Sequence, residues 1–283
     1  MKKHFRSIVG LLSLMMLILV VLSSFQRPTS ARGSLAGSTP EPLAYLPLVR
    51  KAETSPTPIP TVDPNNWLAY VNYYRAIAGV PAVAENTPLN NNCWEHARYM
   101  AENNDLTHDQ DPNLPYASDA GQICAQKGNA WMGSDFFQPY WQVHHAIDGW
   151  MGSVGHRLWL LYPTTPTFGF GFYTASNNRA GAALDVLSTF NYGADDSYPG
   201  WPIRYPAPYQ TDVPAEVYPI TINWQYFGAT PSLTSSSLTT VGGTALAHTA
   251  DTILPVGHEG IQIYPTQALP AKTTILVSVT GSY

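Results

Sequence analysis

The stretch 149–163, "GWMGSVGHRLWLLYP", sets one His-Arg pair inside a run of Trp, Met, Leu and Tyr. Three uses are open to such a histidine: metal ligand, proton shuttle, or core residue with a satisfied ring. Ser153 stands three residues before His156, a spacing that shares one face on a regular helix. That makes half of a nucleophile–base pair, although Gly152 and Gly155 interrupt a regular helix and no G-x-S-x-G elbow is present. The plainer expectation is that Ser153 caps a short helix carrying His156. Arg157 is read as a fork tying that helix to neighbouring carbonyls.

The other histidines offer less. His144 and His145 are adjacent, so a helix is expected to aim them at different sites, with His144 paired to Asp148 at i+4. His96 falls near the apolar stripe of a helix, as a partly buried structural residue. His248 and His258 lie in a β-rich segment with no matching cluster. Trp150, Trp159, Tyr162 and Phe168 are expected in the core. Cys93 and Cys124 are an even pair in what reads as an exported chain, which favours one disulfide over two buried thiols. A metal site on two lone cysteines so far apart is a poor reading.

The chain that must position these residues has 283 residues, 45% hydrophobic and only 12% charged, with net charge −5. A sizeable core is available, the polar surface must come from uncharged side chains, and no basic field points to nucleic acid. Lys2, Lys3 and Arg6 precede an apolar run from Ile8, and "TSARG" offers cleavage after Ala31; residues 1–31 read as a signal peptide. An uncleaved anchor is the rival, and both place the rest of the chain outside the membrane, secreted or at the cell surface. Residues 32–62 form a Pro/Ser/Thr-rich linker in which "LAYLPLV" is an exception that can dock elsewhere.

Helices are predicted from Asp63 as cap with Pro64 in the first turn, and from Thr87 as cap with Pro88 leading. Two more are predicted over about 140–151 and 156–161. The strand-like "TFGFGFYTA" and "AGAALDVLSTF" follow, joined by "SNNR". Helices first and a strand pair after imply an α+β sandwich over 63–195. From 196 to 283 the apolar residues of "VYPITINW", "HEGIQIYP" and "TTILVSVTG" alternate, which implies a small β-sandwich-like module.

Two blocks, "VNYYRAIAGVPAVAENTPLNNNCWEHARYMAENNDLTH" and "AIDGWMGSVGHRLWLLYPTTPTFGFGFY", together resemble the CAP superfamily (cysteine-rich secretory, antigen 5 and pathogenesis-related proteins, the SCP domain) in its bacterial exported form. The C-terminal part resembles immunoglobulin-like modules. The resemblance implies an α-β-α sandwich with a cleft, where many members hold a divalent metal on two His and two Glu. Here the histidines correspond to His108 and His156, while Gln122 and Ser153 stand at the two acid positions. Zinc sites normally take three or four protein ligands, so at most weak zinc binding on His108 and His156 is expected, with Asp109, Asp111 and Asp119 near enough in sequence to substitute. The resulting expectation is a non-catalytic cleft for an extracellular lipid, cell-wall fragment or protein. The alternatives are a metal-dependent or Ser-His hydrolase and a structural or adhesive surface protein.

Overall fold

Short capping choices decide where the first helices begin. Asp63 folds its carboxylate onto Asn65 N at 2.9 Å, making a local turn, and leaves the cap to Asn66, which accepts from Ala69 N. Helix α1 therefore spans Trp67–Ile77, starting three residues after the expected position, and ends before Gly79 with φ +72°. Asn86, not Thr87, caps α2 (Thr87–Asn103), with Pro88 in its first turn. Ser118 caps α3 (Asp119–Ala125) through Gly121 N. Helices α4 (Val143–Gly152) and α5 (Val154–Leu160) follow, split at Ser153.

The computed structural model describes residues 44–47, 62–134, 140–226, 228–254 and 257–283. The predicted signal peptide and most of the predicted linker lie outside these residues. Pro40–Tyr283 forms one compact unit.

Within it, β2 (Ala84–Glu85), β4 (Thr167–Thr174), β5 (Ala180–Asp185) and β3 (Gly128–Gly133) form one sheet in that order. The alternation of "TFGFGFY" explains its two faces. Phe168 and Phe170 point into a core with Val71, Ile147, Trp150 and Leu160 from α1, α4 and α5. The glycines between them face α2. A Cβ at Gly171 would stand 2.1 Å from Trp94 N, and one at Gly181 of β5 would stand 2.2 Å from Ala97 O. Helix α2 thus lies directly on the strands, an approach only glycine permits. Cys93, Tyr99, Met100 and Cys124 form a second core with Ala130 and Ala183 on that face. The α-β-α order is the expected one.

The all-β part is two antiparallel sheets. One runs β6 (Ile203–Tyr205), β7 (Ile220–Asn223), β10 (Glu259–Pro265), β9 (His248–Ile253). The other runs β1 (Ala44–Pro47), β11 (Ile275–Ser282), β8 (Ser232–Thr240). The alternating Ile220, Ile222, Ile261, Ile263, Val277 and Val279 fill the core between them. Strand β1 comes from "LAYLPLV": Ala44 pairs with Val279 and Pro47 with Leu276. The expected exception in the linker is therefore the edge strand of the C-terminal module.

Candidate functional site: a histidine pair with its acid positions replaced

His108 sits in the loop between α2 and α3. Its Nδ1 lies 2.8 Å from Ala125 O. A carbonyl only accepts, so Nδ1 carries the proton and Nε2 keeps a lone pair when the ring is neutral. His156 occupies the first turn of α5, with Nδ1 3.0 Å from Ser153 Oγ. Burial, and then the charge of His108, hold the His156 imidazole below its ordinary range. The two rings are thus close enough to couple electrostatically.

Ser153 occupies the N-cap position of α5 with extended backbone, but its hydroxyl makes no cap bond. It serves the His156 ring instead, while its carbonyl accepts from Arg157 N at 2.9 Å. The expected capping role holds for the backbone and fails for the side chain. Gln122, at the other acid position, is spent at both ends. Its Oε1 accepts from Gln110 N at 2.7 Å and its Nε2 donates to Asp109 Oδ1 at 2.7 Å.

That clamp belongs to a network which the sequence reading missed. Gln110 Nε2 donates to His96 Nδ1 at 3.0 Å, and His96 Nε2 then donates to Thr107 O at 3.0 Å. His96 is fully buried and burial pushes its pKa down to about 4, so it is a neutral strut under the His108 loop. Gln110 also accepts from Ser118 N at 2.9 Å, which joins the loop to the α3 cap. Only the density of Asp, Asn and Gln in "NNDLTHDQDPN" hinted at it.

A divalent metal fits this donor set badly. His108 and His156 each have Nδ1 at a protein oxygen, and Gln122 and Ser153 already have protein partners. Asp109 Oδ1 accepts from Gln122 and Asp111 Oδ1 from Asn113. Among the described residues no group of three His, Cys, Asp or Glu is placed to hold an ion. The disulfide joins Cys93 to Cys124 with Cα atoms 5.1 Å apart, tying α2 to α3 behind the loop.

Elsewhere the residues sort as follows. Arg157 is fully buried and donates to Met151 O and Pro219 O, both at 2.6 Å, the expected fork. Trp150, Trp159, Tyr162 and Phe168 are buried. His144 does not pair with Asp148 by a hydrogen bond, because Asp148 Oδ1 accepts from Tyr70 and Tyr74 instead. Nor do His144 and His145 point apart: their rings lie 4.1 Å from each other, because His145 folds back over the start of α4 to accept from Gln142 N. His258 is buried against Trp159, Tyr162 and Tyr226, far from any ligand-like cluster.

With this geometry in view, the family model described as "CAP: Cysteine-rich secretory protein family" matches residues 68–192. Over those residues, less than half of its length, the chain is similar to the CAP family. One solved structure, an extracellular protein containing a SCP domain from Bacillus anthracis strain Ames, is similar at 21% identity and a TM-score of 0.32. That match covers 42% of this chain and 38% of the other, so the chain spans well under half of that relative. No curated protein matches the chain.

Proposed function

We propose that this is an extracellular CAP-domain protein whose His108–His156 cleft binds an extracellular ligand, a lipid, cell-wall fragment or peptide, without catalysing its conversion. The observation that carries the reading is the fate of the two acid positions. Gln122 is locked between Gln110 and Asp109, and Ser153 is bonded to His156, so neither acid position supplies a carboxylate to act as base or to complete a metal site. Leu106 and Ile123, at 56% and 48% exposure, flank this machinery in sequence and offer apolar surface to a ligand. The basic and apolar N-terminal segment, the disulfide and the family support an extracellular location. Zinc is at most a weak ligand of the pair.

The test is native mass spectrometry of the intact chain incubated with bacterial lipid extract, muropeptides and peptide pools. A complex lost in both His108→Ala and His156→Ala is expected. Stoichiometric zinc binding, or turnover of any of these substrates, overturns the reading. The hydrolase alternative rests on the 3.0 Å Ser153–His156 contact. It requires casein or cell-wall cleavage that disappears in Ser153→Ala.

A further inference from the structure

On the face of the CAP domain formed by α1, α4 and β3, six half-buried rings touch in sequence. Trp131 and Trp141 lie 5.3 Å apart, Trp141 and His145 5.4 Å, and His145 and His144 4.1 Å. His144 and Tyr70 follow at 6.3 Å, then Tyr70 and Tyr73 at 6.1 Å. The row is built in: a Cβ at Gly133 would stand 2.5 Å from Trp141 and 2.6 Å from Trp131, so the two indoles rest against a position kept bare for them. A continuous row of part-exposed aromatic rings at this length is unusual for a surface with nothing to bind.

Its electrostatics narrow the occupant. No Lys or Arg occurs in 128–156 or in 63–74, so nothing here pairs with phosphate, sulfate or carboxylate groups. Two carboxylates lie near the row: Asp212, which faces Tyr73, and Asp148, whose Oδ1 accepts from the Tyr70 and Tyr74 hydroxyls at 2.8 and 2.6 Å. Trp141 Nε1 and His144 Nδ1 are buried without a hydrogen-bond partner. The ligand that combines these demands has apolar C–H faces, a rim of hydroxyls and no charge.

We infer that the Trp131–Tyr73 row is a binding platform for an uncharged polysaccharide. Pyranose rings present partly positive C–H bonds to the negative faces of the aromatic rings, and their hydroxyls reach the imidazole, indole and carboxylate groups. The site is separate from the His108–His156 cleft and does not depend on what that cleft binds.

The experiment is affinity electrophoresis of the intact chain through gels carrying neutral polymers (hydroxyethylcellulose, mannan, glycol chitin) or an anionic control, alginate. Retardation by a neutral polymer is expected, weakened about three- to tenfold in Trp141→Ala and in Tyr73→Ala. Trp141→Phe should retain most of it, and His156→Ala all of it. Tyr73 lies at the opposite end of the row, so its variant still reads the platform if Trp141→Ala fails to fold. No retardation by any neutral polymer, retardation by alginate alone, retardation that both alanine variants leave intact, or retention abolished by tetramethylammonium overturns the inference. So does self-association through this face, seen as a dimer by light scattering that Tyr73→Ala dissociates.

Discussion

The cleft and the seam beneath it use the same short helix in opposite ways. On the cleft side, Ser153 and His156 are half-buried and bond to each other, while Gln122 is held between Gln110 N and Asp109 Oδ1. On the seam, where α5 meets the all-β module, polar groups are buried among rings. Arg157 lies 5.0 and 4.7 Å under Tyr205 and Tyr218 and reaches only carbonyls. Tyr162 donates to Asp195 at 2.7 Å and accepts from Tyr226 N. His258 lies 4.3 Å from Trp159 with neither ring nitrogen bonded. The comparison teaches that the Gly-His-Arg stretch identifies the family largely through packing, and that only its histidine looks toward chemistry.

If that division holds, seam changes cost stability, and changes to the polar side chains of the cleft cost little. The largest effect is expected for Arg157→Ala, which removes the guanidinium between α5 and β7 and strands two buried carbonyls. Urea unfolding should show a loss of about 3–5 kcal/mol. A loss under 1 kcal/mol would mean the module docks without this fork. Cys93→Ser, on the cleft side, should cost about 3–4 kcal/mol through the 31-residue separation that the bond closes. It tests whether the cleft's rigidity comes from the cross-link rather than from its hydrogen bonds.

Next comes pH. Burial holds His258 at about 3, against an ordinary value near 6.5. The folded state therefore binds fewer protons than the unfolded state between those values. Its contribution is intact above pH 6.5 and shrinks as pH falls, by about 2 kcal/mol at pH 5. Asp195 and Asp185, whose carboxyls burial pushes up, act with the opposite sign. The clean measurement is the difference between wild type and His258→Phe from pH 7 to 5. A difference that stays flat would show that water reaches His258. The smallest effects belong to the cleft. Ser153→Ala should change stability by less than about 1 kcal/mol. His108→Gln should raise the His156 titration seen by NMR while burial keeps it below the ordinary range.

Legibility in the sequence follows the same division. "TFGFGFYTA" read as a strand, and the alternating Ile and Val residues announced the module core. Those are periodic signals, and packing obeys them. Helix starts slipped by up to three residues because Asp63 and Asn66, and likewise Asn86 and Thr87, are rival capping groups that one sequence does not rank. In the site, His108, His156, Gln122 and Ser153 were named in advance. The His96–Gln110 strut was not, since it depends on residues 14 positions apart meeting under a loop. The stacking of His144 on His145 was hidden by a helix-terminus bond that overrides ordinary helix geometry.

Strand β1 gives the molecule a mechanical property. It lies before the CAP domain in the chain and pairs through four residue positions with β11, near the C-terminus. Tension on the chain ahead of Ala44, directed along the strand, loads those rungs together in shear. Tension across the sheet opens them one at a time from an end. The attachment between the two ends of the chain is therefore a fastener whose strength depends on the direction of pull.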